Sequence, residues 1–110
     1  MSVGEVLSAL ADPTRRELLE ALGRQPACSA TTLAEQVPVS RQAVARHLTV
    51  LRDSRLVASH RVGKEVLFTA IPDELEQTAS WMSTLAATWT ERLELLKQRA
   101  EQGSIPRPAR

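Results

Sequence analysis

SRQAVARHLTVLRD, residues Ser40 to Asp53, reads as one helix with two unlike sides. Val44, Leu48 and Leu51 recur at helical spacing and so line an inward stripe. The opposite side carries Arg41, Gln42, Ala45, Arg46 and Thr49. Arginine and glutamine each present two hydrogen bonds in a geometry that suits a base edge, and alanine and threonine supply the small apolar surface that a thymine methyl accepts. Ser40 caps the helix, with Val39 and Val44 as the two halves of a hydrophobic staple. A helix that reads base edges needs such a face. So does an ordinary solvated helix, and the flanking sequence has to decide between them.

Working outward, the chain before Ser40 has the form of a helix followed by a tight turn. Thr31 or Thr32 opens a short helix through Val37, with Thr32 and Glu35 as a capping box. Pro38 cannot continue it without losing a hydrogen bond, so the chain turns at Val37-Pro38-Val39 and re-enters helix at Ser40. Helix, tight turn and polar-faced helix make a helix-turn-helix. After Asp53 the period changes. Val57 to Arg61 and Glu65 to Ile71 are rich in branched and aromatic residues and flank Val62-Gly63-Lys64, which predicts a hairpin with a glycine turn. Its tip holds His60, Arg61 and Lys64, a second cationic element beside the first. The fold expected is mainly α with a small β-hairpin wing, a winged helix-turn-helix, the wing lying along the nucleic-acid backbone or in the adjacent minor groove.

Two helices precede this motif. Val3 to Ala11 places Val3, Val6, Leu7 and Leu10 on one side. Asp12-Pro13 then restarts the chain as a helix from Pro13 to Leu22, with Leu18, Leu19 and Leu22 inward and Gly23 expected to end it in the left-handed conformation. Arg15 and Arg16 near its start can reach a phosphate or be solvated, and are read as solvated. Arg24 to Ala30 is read as a loop containing Pro26 and Cys28.

Beyond Pro72 no glycine or proline occurs until Gly103, so residues 73–100 form one long helix. Leu75, Ala79, Met82, Ala86, Trp89, Leu93, Leu96 and Ala100 alternate spacings of four and three, and Trp81, Leu85 and Leu95 form a strip beside them. Two apolar strips need two surfaces to cover them. One is the chain's own domain and the other the same helix of a second copy in a C2 homodimer; the alternative is one wide strip packed wholly on its own domain. Leu75, Ala79, Met82, Ala86, Trp89, Leu93 and Leu96 are the expected dimer interface. Residues 1–102 then make one DNA-binding and dimerisation domain, and 103–110 a disordered tail.

Charge points the same way. The net +1 of the 110 residues separates into a block of +5 over residues 40–64 and one of −3 over 73–102. A basic block on a nearly neutral chain calls for a polyanionic partner, double-stranded DNA before all others. Ser40, Arg41, Gln42, Ala45, Arg46, His47 and Thr49 on the helix and His60, Arg61 and Lys64 on the wing are the expected contacts. An alternative is a basic face for a protein or RNA partner, on which the geometry of Gln42 and Arg46 would be wasted. There is no glycine-rich phosphate loop, no paired acids in a plausible cleft and no nucleophile with an evident base, so no enzyme is expected. No leader or membrane-spanning pattern is visible and one cysteine makes no internal disulfide, which implies a cytoplasmic protein.

Taken together, ALADPTRRELLEAL, VSRQAVARHLTVL and LVASHRVGKEVLF resemble the ArsR family of bacterial winged-helix repressors over about residues 3–100. The fullest likeness, in the PVSRQAV turn and the tryptophan-containing last helix, is to members encoded beside small ligand-binding proteins of the polyketide-cyclase and heat-shock-activator type. The resemblance implies a homodimeric regulator, usually a repressor of its own operon, released by a metal or another signal. Its departures concern sensing. The cysteine pair of arsenic-sensing members falls here on Ser29 and Thr31, with Cys28 one residue out of register. The aspartate and histidine ligands that zinc- and nickel-type members carry on the last helix have no counterpart set, since residues 73–100 hold neither histidine nor cysteine. Cys28, His47 and His60 are too few for a tight thiolate or imidazole site. No metal and no cofactor is therefore expected, which leaves a small-molecule inducer of unknown chemistry or control by protein level.

Overall fold

The computed structural model describes residues 3–103. In chain order these are helices α1 (Val3–Leu10) and α2 (Pro13–Gly23), strand β1 (Cys28–Ser29), helices α3 (Ala30–Ala34) and α4 (Arg41–Asp53), strands β2 (Val57–Val62) and β3 (Glu65–Ala70), and helix α5 (Asp73–Glu101). They divide into two units, the first ending at Thr78 and the second beginning at Ala79 within α5. The expected tail begins at Gly103, and residues 104–110 lie outside the described residues.

The first unit is the winged helix. Val44, Leu48 and Leu51 of α4 are fully buried, as their spacing requires, against Leu18 and Leu22 of α2, Leu33 of α3, and Leu56 and Val57 at the start of the wing. Each such side chain contributes about 1.5–3 kcal/mol by leaving water, so the core holds α4 through its inward stripe. The inward face of α1 is Val6 and Ala9, while Leu7 stays more than a third exposed.

The sheet has the order β1-β3-β2, all antiparallel. The strand β1 has no counterpart in the expected loop from Arg24 to Ala30. Two residues carry no period, and pairing of Cys28 with Phe68 and Ser29 with Leu67 is all that defines them. That pairing also moves the start of α3. Ser29 is held extended (φ −79°, ψ 163°) and its Oγ accepts from the Thr32 N–H at 3.2 Å, so Ser29 is the cap and Thr32 lies inside a helix that ends at Ala34. The expected Thr32/Glu35 capping box does not form.

Gly23 also departs from expectation, since it is the last residue of α2 and has no left-handed backbone. The carbonyl of Ala21 is satisfied instead by the N–H of Arg24 (3.2 Å) and the side-chain amide of Gln25 (2.8 Å), so no positive φ is needed. At the other end Asp12 caps α2 as expected, accepting from the N–H groups of Thr14 (2.8 Å) and Arg15 (3.2 Å). The Arg15 N–H, chiefly, then that of Thr14 and the charges of His47 and Arg15, hold the Asp12 carboxyl below its ordinary value against the opposing effect of desolvation. The cap is therefore at full strength above the ordinary carboxylate range and is lost as pH falls through the depressed value. Arg15 and Arg16 are not simply solvated: both fold back on α1, Arg16 donating to the Leu10 carbonyl at 2.6 Å.

Among the described non-glycine residues, the left-handed position is Arg55, φ 60°, where α4 turns into the wing. The Leu56 N–H donates to the Leu51 carbonyl (2.9 Å) and the Arg55 N–H to that of Arg52 (3.0 Å), the two bonds of a Schellman motif, with Leu51 and Leu56 packed beneath it. Glycine normally occupies this place, because a Cβ there costs roughly 1–2 kcal/mol. We expect Arg55→Gly to raise stability by about 1 kcal/mol after the loss of unfolded-state restriction, a shift of several degrees in the thermal midpoint. Thermal unfolding at fixed protein concentration checks this, and a lowered midpoint refutes it.

In the second unit α5 continues without interruption to Glu101, and Gly103 comes after it with φ 75°. Trp81, Met82, Trp89, Leu93 and Leu95 are all exposed, Trp89 and Leu93 by 61%. No helix among the described residues is long and apolar enough to cross a membrane; α5 has the length but is interrupted by charges.

Candidate nucleic-acid interface

The outward face of α4 carries Arg41, Gln42, Ala45, Arg46 and Thr49, all exposed. Ser40 Oγ accepts from the Ala43 N–H at 3.1 Å, which pins the first turn. Thr49 Oγ1 donates to the Ala45 carbonyl at 3.1 Å, so its proton is committed and it offers a methyl group and a lone pair outward. Arg41, Gln42 and Arg46 have no side-chain partner among the described residues. Their donors are free for a ligand. Arg52, lower on the helix, pairs with Asp53 at 3.9 Å across solvent, a contact of little energetic weight.

The wing is a six-residue pair closed by Gly63-Lys64, with Gly63 at φ 64° and Lys64 on the negative side, the sign pattern of a II′ turn. Register decides where its cations lie. Arg61 pairs with Val66 and Ser59 with Phe68, and so share one face with Val57 and the core. His60 pairs with Leu67 and lies on the other face with Val62 and Glu65. Arg61, Lys64 and His60 are all exposed, but the strand places Arg61 and His60 on opposite sides of the hairpin. They do not form one patch.

Between α4 and the wing runs an open cleft of about 490 Å³, lined by Arg41, Ala45 and Thr49, by Lys64, Glu65, Val66 and Phe68, and by Ser29, Ala30 and Thr31. Its walls are cationic at Arg41 and Lys64 and apolar at Val66 and Phe68, with Glu65 as the one acid among them. Ser29, Thr31 and Phe68 escaped the sequence reading, because β1–β3 pairing brings these segments together and no local pattern announces it; Glu65 reaches the cleft from the hairpin tip. Gln42 and Arg46 lie on the same helix face outside this cleft. His47 is set apart from that face: its ring is half-buried and its Nδ1 lies 3.3 Å from Nη1 of Arg15.

The residues grouped as a dimer seam behave alike in exposure. Leu75, Ala79, Met82, Ala86, Trp89 and Leu93 are exposed and Leu96 is partly covered. As for metals, no three of His, Cys, Asp and Glu converge among the described residues. Cys28 is buried in β1, and burial pushes its thiol up, away from the thiolate that binds metal or attacks a disulfide.

Residues 10–60 match the pattern of a helix-turn-helix domain. The chain is 45% identical over 67 residues to a transcriptional repressor SmtB homolog of Synechocystis sp., covering 61% of this chain and 50% of that one, so it spans about half the length of that relative. It is 39% identical over 85 residues to the HTH-type transcriptional regulator Rv2034 of Mycobacterium tuberculosis, covering 77% and 76%. Among solved structures, an ArsR-like transcriptional regulator from Rhodococcus sp. RHA1 superposes with a TM-score of 0.80 at 44% identity, covering 89% of this chain and 92% of that one. With the helix-turn-helix, the wing and these likenesses together, the chain belongs to the ArsR family of winged helix-turn-helix transcriptional regulators.

Proposed function

We propose that the protein is a homodimeric repressor of its own operon that binds an inverted-repeat operator in double-stranded DNA. The observation that carries this is the outward face of α4, where Arg41, Gln42 and Arg46 project without side-chain partners among the described residues from a helix whose other side packs in the core. In the major groove Gln42 and Arg46 face base edges, Ala45 and Thr49 fit beside thymine methyls, and Arg41 and Lys64 hold the phosphates that border the cleft. Arg61 extends the wing contact along the backbone or into the minor groove. His60 sits on the far side of the hairpin and reaches only a flanking phosphate.

The energetics of α5 support a dimer. Exposed tryptophan and leucine side chains at heptad spacing are costly in water and are covered by the same helix of a second copy. Two α4 helices related by a twofold axis read half-sites about 34 Å apart, or a multiple of that, so the operator is an imperfect inverted repeat. The protein acts in the cytoplasm, where the DNA is. Fluorescence anisotropy with duplexes from upstream of its own gene and with scrambled controls tests the reading. Preference of about a thousandfold or more for one upstream duplex is expected; equal affinity for all of them refutes it.

Zinc, arsenite and nickel at stoichiometric concentrations are expected to leave operator affinity unchanged, within about twofold. Cys28 is enclosed and its thiol pushed up, and thiolate is the form that binds these ions. Calorimetry checks this: a submicromolar site abolished by Cys28→Ser overturns it and leaves control by a small organic inducer or by protein level with less support.

A further inference from the structure

One side chain joins three helices of the first unit. Arg15, in the first turn of α2, donates through Nε to the Ala9 carbonyl at 2.6 Å and through Nη2 to the Ser8 carbonyl at 3.2 Å. These are last-turn carbonyls of α1, which a basic side chain satisfies in place of the missing next turn. The remaining Nη1 lies 3.3 Å from Nδ1 of His47 on α4. His47, three residues beyond the buried Val44, sits at the edge of the buried stripe of the same helix that exposes Gln42 and Arg46.

A guanidinium only donates and does not lose its proton, so a hydrogen bond across this contact needs the Nδ1 lone pair, which the tautomer with its proton on Nε2 supplies. When the ring gains a proton, an N–H at Nδ1 faces an N–H of Arg15 and two positive charges meet at 3.3 Å. Among the described residues, Asp12 is a charged group whose carboxylate interacts with both His47 and Arg15. It offsets part of the repulsion, but it is already held by the Thr14 and Arg15 N–H groups as the cap of α2 and stays where the backbone places it.

We propose that Arg15 is a positioning residue for the recognition helix, seating α4 against α1 and α2 only while His47 is neutral, so that acidification loosens α4 and lowers discrimination between operator and other DNA. This rests on the reading of α4 as the DNA-contacting helix. His60 lies elsewhere, on the far face of the wing hairpin.

The test has two arms. In the free protein, ¹⁵N NMR of the His47 ring is expected to show Nδ1 unprotonated at about pH 8, and the Arg15 Nε–H resonance to broaden or shift along the same titration. A ring with Nε2 unprotonated, or an Arg15 signal indifferent to the titration, overturns the contact. In the second arm, anisotropy on operator and scrambled duplexes from about pH 8 to about pH 6 is expected to show the affinity ratio falling about fivefold in the wild type, the loss of roughly one hydrogen bond. His47→Asn, whose side-chain oxygen takes the place of Nδ1 and does not titrate, is expected to hold its ratio flat. Arg15→Lys, which cannot span both carbonyls and the ring, is expected to be low throughout. A pH slope in His47→Asn equal to that of the wild type overturns the proposal. A wild type with no operator preference even at high pH overturns the DNA reading and the effect on discrimination, while the ring titration still decides the contact.

Discussion

Leu93→Glu is expected to turn the proposed dimer into a monomer at tens of micromolar while leaving the winged-helix unit folded. Leu93 lies in the middle of the heptad run and is 61% exposed on the single chain, so a glutamate there is harmless to the monomer. At the proposed seam it stands near its own symmetry mate, where two carboxylates would be desolvated without partners at a cost of several kcal/mol. Several kcal/mol is a factor of a thousand or more in the dissociation constant. Light scattering or sedimentation reads the mass directly, and circular dichroism reports whether the helices of residues 3–78 remain. Operator affinity should collapse with the dimer, because one half-site supplies only half of the contacts. A wild type that is itself monomeric at these concentrations, or a Leu93→Glu variant that remains dimeric, removes α5 as the interface.

The second large effect separates two kinds of contact. Gln42→Ala/Arg46→Ala removes two base-edge contacts per protomer, each worth roughly 1–3 kcal/mol on the operator and little on scrambled DNA. Specificity should fall by at least about thirtyfold per half-site. Arg61→Ala/Lys64→Ala removes wing charges instead, and should weaken operator and scrambled duplexes together. It should also flatten the dependence of log affinity on log salt by about one unit for each phosphate interaction removed, about four for a dimer. Anisotropy across a salt series distinguishes the two variants by slope as well as by ratio. If the Gln42/Arg46 variant keeps its operator preference, sequence is read elsewhere, and the cleft residues Thr31, Thr49 and Phe68 are the next to substitute.

Much of this molecule was legible from local pattern, for a physical reason in each case. The α4 stripe of Val44, Leu48 and Leu51 states its own burial, because helical period and hydrophobicity agree and nothing distant has to be known. Asp12-Pro13, Ser40 and the Gly63 turn announce themselves through caps and backbone preferences that act within a few residues. The uninterrupted helix of α5 is legible in the same way. Local pattern did not contain whatever depends on a partner far along the chain. The strand β1 exists only because β3 lies beside it, and it relocates the cap of α3 to Ser29 and carries Ser29 and Thr31 to the cleft. The hairpin register, a matter of which residue faces which, separated Arg61 from His60 although they are neighbours in sequence. Arg15 and His47 are 32 residues apart and met only when α2 packed on α4. Period and capping chemistry thus determine the elements and their inward faces, while pairing register and helix packing decide which polar side chains share a surface, because a hydrogen bond between distant residues leaves no trace in the spacing of either.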